Sequence, residues 1–313
     1  MSDIATLGET MLRLAPESGE RLETAETLGF RTAGAESNVA IAASRLGADA
    51  TWISKLPKSP LGRRVVNDVR RHGVTPLVEW SNDGRQGAYY IEPGGEPRGT
   101  NVIYDRENAA VTTLMPDETP RDQIQSSSIF FTTGITPALS ETLFETTQTL
   151  LQLETTTAFD LNYRNKLWTP EKARSAYETL LPEVDLLFAP VRDARNVLGL
   201  EGDAASISDQ LRDRFNCDLT VVTRGSDGAV ASTTEGIVEQ ETFNAETIDP
   251  IGTGDAFVGG FLSRYVKGTS IATALRWGAA TAAVKRTING DHAVITEDEV
   301  AAVTGEDRRE IDR

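Results

Sequence analysis

Cysteine, histidine and lysine are scarce in this 313-residue chain: Cys217 is the one cysteine, His72 and His292 are the two histidines, and lysine occurs only at 55, 58, 166, 172, 267 and 285. A lone cysteine excludes an internal disulfide and agrees with a reducing cytoplasm. One cysteine and two histidines also leave too few ligands for a structural zinc cage. No apolar run approaches the ~20 residues that a membrane helix requires. The start, MSDIATLGETMLRL, has no basic region followed by an apolar core, so nothing marks a secretory signal. Together these absences predict a soluble, cytoplasmic protein.

Positive charge is short as well. The chain carries 47 acidic residues against 31 basic ones, a formal charge of −16. Such a surface repels polyanions, which argues against nucleic acid and anionic membranes as partners. The acid excess is spread over an ordinary hydrophobic pattern, so it does not signal disorder. Dense acid with few lysines suits a high-salt cytoplasm, where screening removes most self-repulsion; an ordinary acidic protein is the alternative. A protein this negative holds an anion only where local groups reverse the field.

Three familiar signatures are missing too. There is no GxxxxGK[ST], no GxGxxG after the first strand and no GxSxG, which disfavours a P-loop enzyme, a dinucleotide fold and a nucleophile elbow. What is present is DPIGTGDAFV at 249 to 258, with Gly252 and Gly254 ahead of Asp255 and an apolar segment whose Phe257, Phe261, Leu262 and Tyr265 recur at helical spacing. A helix starting here presents unpartnered N–H groups and the positive end of its dipole, a pocket for an anion. A carboxylate at the edge of such a pocket repels the anion unless it takes a proton from something that attacks it. The stretch therefore reads as a phosphoryl-transfer site with its general base; the bland alternative is that Thr253 or Asp255 merely caps the helix.

Taken in order, the chain alternates strands and helices. DIATL at 3 to 7 reads as a strand, MLRLA as a second, and a helix runs from Ser37 or Asn38 to Leu46 with Gly47 as its stop. A strand at 50 to 56 and a helix from Leu61 to His72 follow. QGAYYIEPGGEPRGTNVIYDR gives a hairpin signal and is the candidate for a small added element, where Tyr89, Tyr104 and Arg106 either line a ligand or merely pack and solvate. Strands then recur at SSIFFTTGI, TTTAFDLNYR, DLLFAP and DLTVVTRG, with helices at SETLFETTQTLLQLE, PEKARSAYETLLPEV, 193 to 198, 204 to 215 and 271 to 285. This order implies one α/β domain with a mostly parallel sheet. Ligands bind beyond the carboxyl ends of such strands, which makes Thr136, Asp160, Asn162, Arg164, Thr223 and Gly225 candidates. The tail from Gly305 reads as frayed.

The chain resembles the PfkB/ribokinase-type carbohydrate kinases over nearly its whole length, with GAESNVAIAASRLG similar to the family's first signature and DPIGTGDAFVGGFL to its second. Within that family GITPALS, DLNYRNKLW and NGDH resemble 2-keto-3-deoxygluconate kinases. The resemblance implies a ribokinase-like three-layer α/β sandwich, a single domain over 1–313, with a small β-sheet lid near 10–32 and 76–108. It implies Asp255 as catalytic base and Gly252, Thr253 and Gly254 as backbone donors to the transferring phosphoryl. Gly34, Asn38, Tyr89, Tyr104, Arg106, Ile135, Arg164 and Asp291 are expected around the substrate, with Arg106 and Arg164 clamping its carboxylate.

Asn162, Thr223, Gly225, Gly228 and Gly254 are expected around ATP by the same resemblance, although a turn such as TRGSDG on its own reads as a hairpin. Pro190 and Asp193 replace the Asn or Ser and the Glu usual in relatives, so Mg²⁺ is expected without assigned ligands; Ala33 replaces a glycine common in relatives. The implied reaction is ATP-dependent phosphorylation of 2-keto-3-deoxygluconate to its 6-phosphate, a step of Entner–Doudoroff-type sugar-acid catabolism. A fructokinase or a galactonate-epimer kinase is the alternative, and a non-catalytic sugar- or nucleotide-binding regulator or a dehydrogenase lies further off. A homo-oligomer, dimeric through the lid or higher, is implied as well.

Overall fold

Strands and helices alternate from the start of the computed structural model, which describes residues 2–94 and 97–305. β1 (Ile4–Leu7) is followed by two strands of a separate sheet, β2 (Met11–Ala15) and β3 (Gly29–Ala33), and then by α1 (Ala35–Arg45). β4 (Ala50–Pro57), α2 (Pro60–Arg71) and β5 (Thr75–Ser81) precede the hairpin of β6 (Ala88–Glu92) and β7 (Asn101–Asp105). The middle holds α3 (Arg121–Gln125), β8 (Ile129–Thr133), α4 (Ile135–Ala138), α5 (Glu141–Leu151), β9 (Thr156–Asp160), α6 (Pro170–Leu180), β10 (Leu186–Pro190) and α7 (Val191–Leu198). Last come α8 (Ala204–Phe215), β11 (Leu219–Thr223), β12 (Ala229–Thr233), β13 (Gly236–Gln240), α9 (Thr253–Tyr265), α10 (Ile271–Arg286) and α11 (Glu297–Thr304). The frayed tail expected after Gly305 lies outside the described residues.

Nine strands make one sheet in the order β13-β12-β11-β10-β9-β8-β1-β4-β5. Every pairing from β11 to β5 is parallel, and β12 and β13 close one edge as antiparallel partners. Central strands such as β8 and β10 are covered on both faces, which is why they read as unbroken apolar runs rather than as alternation. On one face Leu143 of α5, Tyr177 of α6, Val197 of α7 and Leu211 of α8 pack into one core; on the other, Val39 of α1, Phe261 of α9 and Leu275 of α10 share another. This is the three-layer α/β sandwich implied by the sequence.

The second sheet, β3-β2-β6-β7, lies apart from the first. Met11, Ala33, Tyr89 and Ile91 form a small core on one of its faces. Two sequence expectations need correction here. Residues 75 to 81, partly included in the lid segment, form β5 and pair with β4 at the edge of the large sheet. The strand expected through TTTAFDLNYR ends at Asp160, because Asn162 adopts φ +38 and breaks the extended run.

Two adjacent glycines let α9 sit between its neighbours. A Cβ on Gly259 would stand 2.5 Å from Ala42 Cβ and 2.7 Å from the Val39 carbonyl oxygen, and one on Gly260 would stand 2.4 Å from Thr281 Oγ1. Gly259 thus sets the approach of α1, and Gly260 that of α10. Gly259→Ala is expected to destabilise the fold by about 1–3 kcal/mol through overpacking against backbone, measured by denaturant unfolding; an unchanged midpoint would contradict this packing.

Candidate active site

The strand ends and the start of α9 converge on one cavity of about 560 Å³. Gly252 caps the helix in the left-handed region, at φ +77, and a Cβ there would meet the Asp291 carbonyl oxygen at 2.1 Å. Glycine is required on both counts. The first turn closes as Ala256 N–H donates to the Gly252 carbonyl at 2.9 Å. The N–H groups of Gly254 and Asp255 lie inside that turn, where the helical ladder offers no acceptor. Thr253, expected as a third donor, instead turns its N–H (3.3 Å) and its Oγ1 (2.7 Å) to the Pro250 carbonyl.

Asp255 is half-buried on this turn, and Asn38 Nδ2 donates to its Oδ2 at 2.7 Å. The packing of α1 on α9 brings the two together across 217 positions of sequence. Burial raises the Asp255 pKa to about 6, against the Asn38 hydrogen bond and the charges of Arg164 and Lys285. Two further buried carboxyls lie higher. Burial raises Glu36 to about 7 although Thr133 and Thr136 hydroxyls donate to it at 2.7 and 2.8 Å. Burial, then the charges of Asp255 and Asp193, raises Asp160 to about 8. The two environments separate the carboxyls: at neutral pH Asp255 is ionised while Asp160 keeps its proton.

The lid residues are more committed than the sequence suggests. Asp291, expected against substrate, accepts from Arg13 Nη1 on one oxygen and from Tyr89 OH on the other, at 3.0 Å for the tyrosine. Arg106, expected to clamp a substrate carboxylate, donates from Nη1 to Glu9 Oε2 at 2.8 Å and lies over the Tyr104 ring at 4.4 Å. Arg164 is the uncommitted guanidinium: it lines the cavity with no hydrogen-bond or ion-pair partner among the described residues. Gly34 and Ile135 line the same cavity, as do Asn162, Asp160, Pro190 and Asp193.

Several residues here escaped sequence reading. Arg13 pairs with Asp291 across 278 positions and reaches Asp249 at 3.4 Å. Lys285, fully buried, donates to the carbonyls of Asp249 (3.0 Å) and Ile288 (3.4 Å), an ammonium fixed behind the anion pocket. Arg13, Lys285, Arg164 and the helix end are positive groups set among the carboxyls around this cavity. Glu36 lies within GAESNVAIAASRLG without having been singled out, and Glu9 carries no motif that marks it.

A second cavity, of about 330 Å³, lies on the other side of the same helix end. Thr223, Gly225, Ser226 and Gly228 line it, with Phe257 and the α10 alanines 279, 282 and 283. The TRGSDG turn is a tight β11–β12 connection, and it also borders this space. Pro250, Thr253 and Gly254 line both cavities. A Cβ on Gly225 or Gly254 would meet nothing within 4 Å, so both glycines leave open space that a ligand can fill. Asn162, expected near the nucleotide, borders the first cavity rather than this one.

Donor and acceptor must approach in line for phosphoryl transfer, and two cavities meeting at one helix N-terminus suit a small-molecule kinase. Comparison with known proteins narrows this class. The pfkB family of carbohydrate kinases matches over residues 1–298, and the chain belongs to that family. It is 60% identical over 306 residues to a 2-dehydro-3-deoxygalactonokinase of Haloferax volcanii, covering 96% of both chains. A 2-dehydro-3-deoxygluconokinase of Bacillus subtilis is 29% identical over 92% of this chain and 91% of its own. The crystal structure of 2-dehydro-3-deoxygluconokinase from Thermotoga maritima superposes with a TM-score of 0.90, over 96% of this chain and 98% of that one, at 26% identity.

Proposed function

We propose that the protein phosphorylates the terminal primary hydroxyl of a 2-keto-3-deoxy sugar acid at the expense of ATP, with the galactonate-derived epimer ahead of the gluconate-derived one. The observation that carries the reaction is Asp255, held by Asn38 in the larger cavity next to Gly254, which lines both cavities. The order of the epimers rests on the likeness to the Haloferax kinase, which covers nearly all of both chains. It reverses the order suggested by the sequence motifs.

The polar lining suits a polyol acid. Glu9 Oε1 and Asn38 Oδ1 are buried without a hydrogen-bond partner, and both residues line the larger cavity. Unsatisfied buried acceptors call for donors, and sugar hydroxyls are donors. Arg164 offers its free fork to the substrate carboxylate, and Arg106 adds the edge that Glu9 leaves open. Asp255 takes the proton of the attacking hydroxyl, and the Gly254 and Asp255 N–H groups hold the negative charge that develops beside it. Tyr89, Tyr104 and Met11 of the small sheet cover the site and exclude water.

The second cavity fits a nucleotide, because Gly225 and Gly254 leave a cradle that any side chain would fill. Thr223, Ser226 and Gly228 would border the base and sugar. Asp160, Asn162 and Asp193 supply hard oxygen donors of the kind that Mg²⁺ takes, alongside water and phosphate. When bound, ATP supplies the phosphoryl group and Mg²⁺ neutralises its charge.

A coupled ATP assay with both keto acids and fructose, at high and low salt, tests the reading. Both acids are expected to exceed fructose in kcat/KM by about 10²-fold, an unpaired arginine being the cost of the neutral sugar, with the galactonate epimer ahead. The acidic surface predicts higher thermal stability at high salt. Arg164→Ala should remove most of the preference for acids. Fructose equal to the acids would overturn the sugar-acid reading and leave the kinase reading standing. The gluconate epimer ahead would reverse only the order of the epimers.

A further inference from the structure

The two histidines, far apart in sequence, meet in the fold. His72 closes the C-terminal end of α2, Asp68 lies one turn earlier on the same helix face, and His292 follows Asp291. The imidazole rings are edge-to-face with centroids 5.1 Å apart. One ligand atom from each of Asp68, His72 and His292 lies within 4.8 Å of the others. A Cys/His cage of four is out of reach for this composition, but a three-ligand His/His/carboxylate site is not.

His292 is 9% exposed, and its Nε2 has no hydrogen-bond partner among the described residues. A buried ring nitrogen without a partner is rare in native structures and points to a missing ligand. The cation now at this position is Arg71. Its Nε–H donates to His72 Nε2 at 3.3 Å and its Nε forms an ion pair with Asp68 Oδ1 at 2.7 Å, from a side chain that is 68% exposed. The guanidinium thus bridges two of the three ligands and is free to swing into solvent.

We propose that Asp68, His72 and His292 form a binding site for a divalent transition-metal ion of the Zn²⁺ type. Imidazole donors select Zn²⁺, Co²⁺ or Ni²⁺ over Mg²⁺ or Ca²⁺. Bonds of 2.0–2.1 Å place tetrahedral ligands about 3.3 Å apart, so the three ligand atoms, now within 4.8 Å of one another, close on an ion by side-chain rotation. The ion would tie α2 to the loop that carries Asp291. Thr32 of β3 already donates to Asp68 Oδ2, so the same ion would brace the root of the small sheet. This site lies outside the catalytic cavity and does not depend on the substrate proposed above.

The test is titration of the full chain, stripped of metal with a chelator, with Co²⁺ and then Zn²⁺. We expect one Co²⁺ per chain with ligand-field bands in the visible, displaced by Zn²⁺, and a higher thermal midpoint with metal. His72→Gln and Asp68→Asn should each weaken binding by about 10²-fold or more, while Arg71→Gln, which removes the competing cation, should tighten it. Circular dichroism identifies which variants fold. No one-to-one binding by either the parent or Arg71→Gln would overturn the site, as would binding undiminished in folded His72→Gln or Asp68→Asn.

Discussion

Asp255→Asn is expected to lower kcat by about 10²–10⁴-fold, the range for loss of a general base, with little change in thermal stability. Asparagine keeps an oxygen for Asn38 Nδ2, now 2.7 Å from Oδ2, so the geometry survives and only the proton acceptor is lost. The parent enzyme carries a matching pH signature. Burial raises the Asp255 pKa to about 6, and only the ionised form accepts a proton. Below that value kcat/KM is expected to fall about tenfold per pH unit; the asparagine variant should lack this limb. Full activity in Asp255→Asn would remove the base from the mechanism.

Gly252→Ala should be as damaging for a different reason. Its backbone is left-handed at φ +77, and the added Cβ would stand 2.1 Å from the Asp291 carbonyl oxygen and 3.1 Å from its Cα. Those atoms are backbone and cannot rotate away. Conformational strain and overpacking together cost about 2–5 kcal/mol. A displaced helix start also misplaces the N–H groups and Asp255 by an amount that typically costs about 10²-fold in rate. Gly254→Ala is the control, because its Cβ meets nothing within 4 Å. It should keep the fold, with a midpoint unchanged or raised by better helix propensity, yet lose activity by filling the junction of the cavities. Equal stability in the two variants would contradict the assigned roles.

Much of the fold was legible because local rules carried it. The strand runs at 50 to 56 and 129 to 133, the helix read from Leu61 and the glycine stops follow from periodicity and capping, although the helix starts one residue earlier, at Pro60 with Ser59 as its cap. Three elements that went unread had signals: Thr296 and Glu299 form a capping box ahead of α11, and AVAST and GIVEQ flank a two-residue turn between β12 and β13. Placing residues 75 to 81 in the lid failed because half-buried alternation cannot say which sheet a strand joins. The helix start at 252 to 255 was legible for the same local reasons.

Charge pairing was not legible. Arg13 with Asp291, Glu9 with Arg106, and Lys285 with the Asp249 carbonyl join positions that no spacing rule connects. Arg106 and Arg164 look alike in sequence; only packing shows that one is paired and the other free. The meeting of His72 and His292 is of the same kind.

The central claim is phosphoryl transfer from ATP to the primary hydroxyl of a sugar acid at the α9 helix end. Phosphorus NMR of the product formed from ATP and the galactonate-derived keto acid tests it most directly. The account predicts one new phosphomonoester, with its phosphorus coupled to the protons of the terminal CH₂. A phosphate on a secondary hydroxyl, or ATP consumed with release of inorganic phosphate alone, would contradict it.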